Sequence, residues 1–388
     1  MKKQIFILAM VAIGFVACTS DETVAVNQND TNEISFRPFV NGTTRAADIS
    51  QMGLRDCGFT VFANVRNTNT NYFPETLFSW DGTSSSYISN TKYYWPSGDN
   101  GLDFFAYTNS KPADHASQVS HAALTKVFTV TPDASAEYQT DLLIGCVLGQ
   151  YKNNCPNGVS INFRHAESMV TIKLKNSSTT TTVTVGTVTL GNVYTTGTYT
   201  FTGSTNNAEE PSTTTDTGTS NDGKYLKYDD WSGQATKGTY AQDPSSTSFT
   251  SATAVYQLYH DMILIPQTLT NANAYASESA GAVFNGAYIS IPLKIQNKTN
   301  SAYIVGAESG ENAYVTALWP LPATKWLPGY HYTYTVDLAG GGYYPTNQST
   351  IGTGDALDPI LSGAEIKFVD VTVDSWSDQT NIDVPPTN

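Results

Sequence analysis

The sequence predicts an all-β protein built of antiparallel sandwiches, and three observations carry that expectation. Apolar residues recur at every second position, turn residues sit between these runs, and long helical periodicity with caps is nearly absent. The alternation is clear in Val159-Ile161-Phe163, which assigns Ser160, Asn162 and Arg164 to the other face. It returns in Val170-Ile172-Leu174, with Thr171, Lys173 and Lys175 facing out, and in Ile289-Ile291-Leu293-Ile295. Tyr330-Tyr332-Tyr334-Val336-Leu338 repeats it. A sheet with one face in a core and one in water requires this period of two. Between the runs lie Asp81-Gly82, the segment Ser97 to Gly101, Pro156-Asn157-Gly158 and Gly340 to Gly342, all turn signals. Val119 to Phe128 is the only stretch where a short helix fits.

In chain order, Lys2 and Lys3 precede an apolar run from Ile5 to Ala17 that stops at Cys18. That run is too short for a membrane-spanning helix, which needs about 20 residues. It fits a secretory leader over residues 1–17, with Ala17 as the small residue beside the cleaved bond. Phe15 stands where lipoprotein leaders usually carry leucine. Lipid on Cys18 would hold the chain at a membrane without a spanning helix.

Residues 18–45 then form a tether that ends in one strand-like segment, Ile34-Ser-Phe-Arg-Pro-Phe-Val40, and in Arg45 within Asn-Gly-Thr-Thr-Arg-Ala-Ala. A protease with arginine specificity would cut between Arg45 and Ala46, taking away the strand that carries Ile34, Phe36 and Phe39. Arg55 is a second candidate, but it abuts the strand-like run from Cys57 to Val65, whereas Arg45 lies in a polar stretch of the kind proteases reach. Pro38 and Pro292 each remove a ladder donor, so both segments are expected at sheet edges or bulges. Only an edge strand can leave without tearing two ladders.

With 34 acidic and 20 basic residues the net charge is −14, which disfavours nucleic acid and anionic lipid as partners. A cut after Arg45 removes four residues of each sign and leaves that charge unchanged. Beyond the leader, roughly 340 residues suit two domains. The boundary is placed between residues 165 and 166, giving an N-terminal sandwich over 46–165, completed by strand 34–40 in the precursor, and a C-terminal one over 166–388. The Thr/Ser-rich stretch of about 202–251 reads as a surface insertion. Of the body cysteines, Cys57 reads as a small buried hydrophobe in a strand, while Cys146 and Cys155 are open to pairing or to remaining thiols.

The segments Ile34-Ser-Phe-Arg-Pro-Phe, Thr44-Arg45-Ala46, Phe59-Thr-Val-Phe-Ala63 and Asp141-Leu-Leu-Ile144 appear in that order. Ile161-Asn-Phe-Arg-His165-Ala166, Ile263-Leu-Ile-Pro-Gln267, the run Trp326 to Tyr334 and Val371-Thr-Val-Asp-Ser-Trp376 come after them. Together with the leader they resemble the fimbrillin family, the FimA- and Mfa-like subunits of type V pili. The resemblance implies two transthyretin-like β-sandwich domains in tandem and no cofactor. It implies export as a palmitate-bearing lipoprotein of the outer membrane, cleavage by an arginine-specific protease, and polymerisation with other copies or paralogous subunits by donor-strand exchange. Adhesion to a host or bacterial surface ligand goes with it. The donor would come from the C-terminal region: Ile366 and Phe368 alternate, Val369, Val371 and Val373 continue in the opposite phase, which suggests a bulge, and Trp376 lies just beyond.

No nucleophile elbow, zinc motif, phosphate loop or defensible carboxylate pair marks an enzyme. His115 and His121 lack a third metal ligand at sensible spacing, and the acidic stretch from Asp216 to Asp230 lacks that of a calcium loop. His331 is assigned to the exposed face of its strand, and His165 to a structural hydrogen bond. The clusters Tyr93-Tyr94-Trp95 and Tyr343-Tyr344 leave a second reading open, a surface lipoprotein that binds glycans without polymerising.

Overall fold

A computed structural model describes residues 32–40, 51–68, 70–97, 100–108, 114–121, 125–202, 205, 230–269, 286–310, 313–345, 357–361 and 370–375. The first elements are β1 (Phe36–Val40), a seven-residue helix α1 (Gln51–Cys57), β2 (Phe59–Val65), β3 (Asn71–Asp81), β4 (Ser86–Ile88) and β5 (Leu102–Tyr107). Then come β6 (Val119–His121), β7 (Val127–Val130), β8 (Leu143–Gln150), β9 (Val159–His165) and β10 (Ser168–Lys175). β11 (Thr181–Val185), β12 (Val188–Tyr194), β13 (Gly197–Thr200), β14 (Trp231–Ser232), β15 (Lys237–Gln242), β16 (Ser248–Phe249), β17 (Val255–Gln257) and β18 (Met262–Leu264) are next. The last are β19 (Tyr288–Asn297), β20 (Tyr303–Val305), β21 (Val315–Pro320), β22 (Tyr330–Asp337), β23 (Tyr343–Pro345), β24 (Leu357–Pro359) and β25 (Asp370–Ser375).

Seven strands in the order β1-β9-β8-β5-β2-β3-β4 make the first sheet. It curls until its margins meet: the rings of Phe36 on β1 and Phe78 on β3 are 4.8 Å apart, although four strands lie between them in the ladder. Phe59, Val61, Phe104, Val159, Ile161 and Phe163 fill the inside. The other face carries Phe62, Phe105, Ile144 and Cys146, which a four-stranded sheet, β14-β13-β7-β6, covers with Phe128, Tyr199 and Trp231. A further sandwich packs β17-β10-β22-β25 and β18 against the nine-stranded sheet β15-β12-β19-β21-β23-β24 with β11, β16 and β20. The Ile289–Ile295 and Tyr332–Leu338 stripes are buried between them, as their alternation predicts.

Several expectations need correction. The described ends of Val119 to Phe128 are strand, in β6 and β7, and residues 122–124 lie outside the described residues; Phe128 and Val130 alternate with exposed Val127 and Thr129, so period two wins there. The helix lies instead at α1, anchored by fully buried Leu54 and ended by Gly58, whose φ of 68° is the left-handed stop that glycine supplies. Cys57 therefore closes a helix rather than joining a strand, and is half-buried. Asn162, Arg164 and Thr171 face no water: each is under 5% exposed. For Asn162 and Arg164 the reason is Thr205, which lies beyond β13 with its hydroxyl 2.5 Å from the Asn162 carbonyl and accepts at its own carbonyl from Arg164 Nε at 3.3 Å. A sheet covered on both faces loses the clean outward polar set.

Pro38 does sit in a margin strand, whereas Pro292 lies in β19, an interior one. There its missing N–H falls where the ladder passes from β12, which reaches Ser290, to β11, which begins at Leu293. Pairings are mostly antiparallel, but β1 runs parallel to β9 and β10 parallel to β22. Part of the 202–251 stretch is strand: β15 extends β12, and Phe249 of β16 is fully buried. Its Thr and Ser content reads as loop by polarity, although threonine suits strands. Residues 206–229 of that stretch lie outside the described residues. Chain passes from the first sheet to the five-stranded one between β9 and β10, while β13 crosses back to pair with β7.

Candidate functional site

The candidate site is the seat of the first strand. Glycine at 158 prepares it, because a Cβ there would stand 2.7 Å from Ser35 Oγ and φ is 96°. That close approach lets the Val159 N–H donate to the Ser35 carbonyl at 2.8 Å and sets Phe36 against Val159 and Val40 against Phe163 in parallel register. Positions 34, 36, 38 and 40 share one face, which points inward. Ile34, Phe36 and Val40 are 3%, 5% and 8% exposed, respectively. Phe36 meets the rings of Phe59, Phe78 and Phe104 edge-on with centroids 6.2, 4.8 and 5.4 Å away.

Just upstream, the chain is held from a second direction. The Ile34 N–H donates to the Tyr93 carbonyl at 2.8 Å, and the Trp95 N–H to the Asn32 carbonyl at 2.9 Å. Lys92 Nζ pairs with Glu33 Oε2 at 2.7 Å. Residues 32–40 thus span the gap between β9 and the segment 92–95 that closes the curl. Of the strand residues singled out in the sequence, Ile34 and Phe36 are in the core, and Phe39 is half-buried on the opposite face. Val40 was the missed core residue; counting in twos from Ile34 finds it.

Cys18, Arg45, Ala46, Ile366, Phe368, Val369 and Trp376 lie outside the described residues. Val371 and Val373 are on β25, which lies antiparallel along β22 at the margin of the five-stranded sheet, Val373 opposite Tyr332 and Val371 opposite Tyr334. Both are partly buried against that core. Arg55, the alternative cut position, is on α1 with its guanidinium 4.4 Å from the Trp80 ring centre.

The remaining candidates are structural. His165 Nδ1 lies 2.8 Å from Asp141 Oδ2, both buried, which matches the structural hydrogen bond expected of it. His331 is half-buried rather than exposed: its Nε2 is 2.7 Å from the Thr171 hydroxyl, and burial pushes its pKa down. The strand's outer face is closed there by Thr171, which donates to Asp261. His115 stacks on Tyr138 and His121 on Phe128, against Asp133 and Glu75, respectively. No group of three or more potential metal ligands is gathered among the described residues. Cys146 and Cys155 are not bridged, since Cys146 packs on the outer face of the first sheet and Cys155 against its interior. Burial raises the pKa of each thiol, that of Cys57 to about 11, which keeps them protonated and unreactive at neutral pH. Tyr93 stacks on Phe73 at 4.3 Å and Trp95 packs on Phe104, so of the first aromatic cluster only Tyr94 is exposed. No helix among the described residues is long and apolar enough to cross a membrane.

No curated protein matches the sequence. The fold is similar to that of a fimbrial protein from Bacteroides vulgatus, at 15% identity and a TM-score of 0.52 over 89% of this chain and 99% of that one. The tip fimbrial protein Mfa3 from Porphyromonas gingivalis, truncated at its C-terminus, aligns at 11% identity and a TM-score of 0.36 over 89% of this chain and 100% of that one. A profile described as fimbrillin-like matches residues 44–355. With that profile spanning most of its length, the chain belongs to the fimbrillin-like family.

Proposed function

We propose that this chain is a subunit of a type V fimbria that assembles by losing its first strand and accepting another. The leader delivers it as a lipoprotein held at the outer membrane by acyl chains on Cys18. An arginine-specific protease then cuts between Arg45 and Ala46, and residues 34–40 depart. The vacated seat takes a strand from the C-terminal region of another copy or of a paralogous subunit, in which Ile366, Phe368, Val369, Val371, Val373 and Trp376 supply the apolar side chains. In this reading residues 46–165 and 166–388 are the two sandwich domains, and their role is structural and adhesive rather than enzymic.

One observation carries the reading: β1 has core side chains but, among the described residues, a single ladder partner, β9. Its removal would uncover an apolar trough and a row of unpaired backbone groups, a template for strand addition. Arg55 is the poorer substrate because a protease needs an extended segment, and Arg55 is held in a helix against Trp80. The inward packing of Tyr93 and Trp95 weakens the glycan-platform alternative.

Arg45→Ala tests it. The variant is expected to fold as the precursor does, to keep its N-terminal segment at the cell surface and to form no ladder on unheated gels after protease treatment. A mature N-terminus upstream of residue 34, or polymer formed by the uncut precursor, would overturn the proposal.

A further inference from the structure

The seat of β1 has a shape specific enough to say how it is refilled. We propose that Glu365-Ile366-Lys367-Phe368 of a second copy replaces Glu33-Ile34-Ser35-Phe36, residue for residue and in the same direction along β9. This rests on the strand-exchange reading and adds its register. The dipeptide Glu-Ile occurs only twice in the chain, both times followed by any residue and then phenylalanine, once near each end.

Each of the four positions has a distinct task. Glu33 reaches Lys92 at 2.7 Å, at the mouth of the seat. Ile34 is buried, and its N–H is taken by Tyr93. Ser35 is half-buried on the outer side and contributes its carbonyl to Val159, a backbone task that lysine performs equally well with its side chain turned to solvent. Phe36 fills the pocket of Phe59, Phe78 and Phe104. Glutamate, isoleucine and phenylalanine recur at 365, 366 and 368 in the order these tasks demand.

The match also constrains the residues after Phe368. In an unbroken register Asp370 would land on the buried place of Pro38, which excludes an unpaired carboxylate. A one-residue bulge after Phe368 removes the conflict, setting Val371 in the place of Pro38 and Val373 in that of Val40. The valines that pack on β22 within one chain are then those that enter the neighbour, so β25 must leave β22 for exchange to occur.

The test uses purified precursor cut by an arginine-specific protease, with polymer followed on unheated gels. A synthetic peptide of residues 363–376 should cap growth, and the same peptide with Phe368→Ala should need at least about tenfold more to do so, as expected for a central aromatic anchor. Within the full chain, Glu365→Lys should slow assembly, and Lys92→Glu added to it should restore the rate. Equal capping by both peptides, or no restoration by the paired change, would overturn the register while leaving strand exchange standing. Wild-type protein that stays monomeric after the cut would sink strand exchange itself.

Discussion

The first and last described strands of this chain occupy similar positions and are held in different ways. Among the described residues, β1 and β25 each end a sheet and each have one ladder neighbour. β1 and the residues just before it plant Ile34, Phe36 and Val40 in a core and are gripped upstream by residues 92–95, whereas β25 offers Val371 and Val373 only partly buried. The difference concerns how each can leave. A strand whose phenylalanine sits among three other rings does not exchange on its own, and severing the backbone beyond it is the practical way to free it. A margin strand with shallow side chains is released far more readily, because local opening free energy follows buried apolar contact.

The largest effect that sharpens this contrast is expected from Phe36→Ala. Truncating a buried phenylalanine costs about 3–5 kcal/mol, so the denaturation midpoint of the precursor should drop steeply. The same substitution should be silent in protein already cut after Arg45, since the residue is gone. Equal destabilisation of both forms would break the contrast, because it would mean that the segment stays behind.

Next in size is a control at the passage between the two sheets, at Glu167. Its carboxyl is fully buried, accepts from the Leu142 N–H at 3.1 Å, and is pushed from its ordinary 4.5 up to about 8, chiefly by desolvation and then by nearby Asp141. Between those two values the native state keeps a proton that the unfolded state has lost. Stability should therefore fall as pH rises through that window, by on the order of a few kcal/mol in total. Glu167→Gln should flatten the loss relative to wild type in denaturant titrations at successive pH values. A variant with an unchanged slope would remove Glu167 as its source.

Val373→Ala should cost only about 1 kcal/mol, in keeping with half-buried methyl groups, and should speed amide exchange along β22. A loss as large as that of Phe36→Ala would erase the distinction between the strands. Smallest of all, Lys92→Ala should change precursor stability by less than about 1 kcal/mol, since its pair with Glu33 is exposed to solvent. A larger loss would assign the grip on β1 to charge rather than to packing.

Much of the fold was legible in the sequence. Alternation in twos located β9, β10, β19 and β22 and the inward set of each, and Pro38 marked a margin strand. What escaped reading depends on neighbours remote in sequence. Nothing around Asn162 or Arg164 announces that Thr205 will close over them, so a local pattern assigned both to water. His331 was misplaced for the same reason, since Thr171 arrives from another strand. Helix α1 was missed because, among its described side chains, Leu54 alone is fully buried, and one apolar position establishes no period. Pro292 obeyed the rule about lost donors in a way the rule does not anticipate, by standing where one neighbour strand gives over to the next.

The parallel run of β1 beside β9 has an architectural consequence. If an incoming strand keeps that direction and each copy gives its strand onward rather than back, every contact joins a tail to a head and is heterologous, without a two-fold axis between the partners. Where the rotation between neighbours does not close a ring, each arrival opens one new berth and the filament gains a permanent polarity. A molecule shortened ahead of residue 365 would still be received but could offer nothing onward, and would therefore act as a stopper.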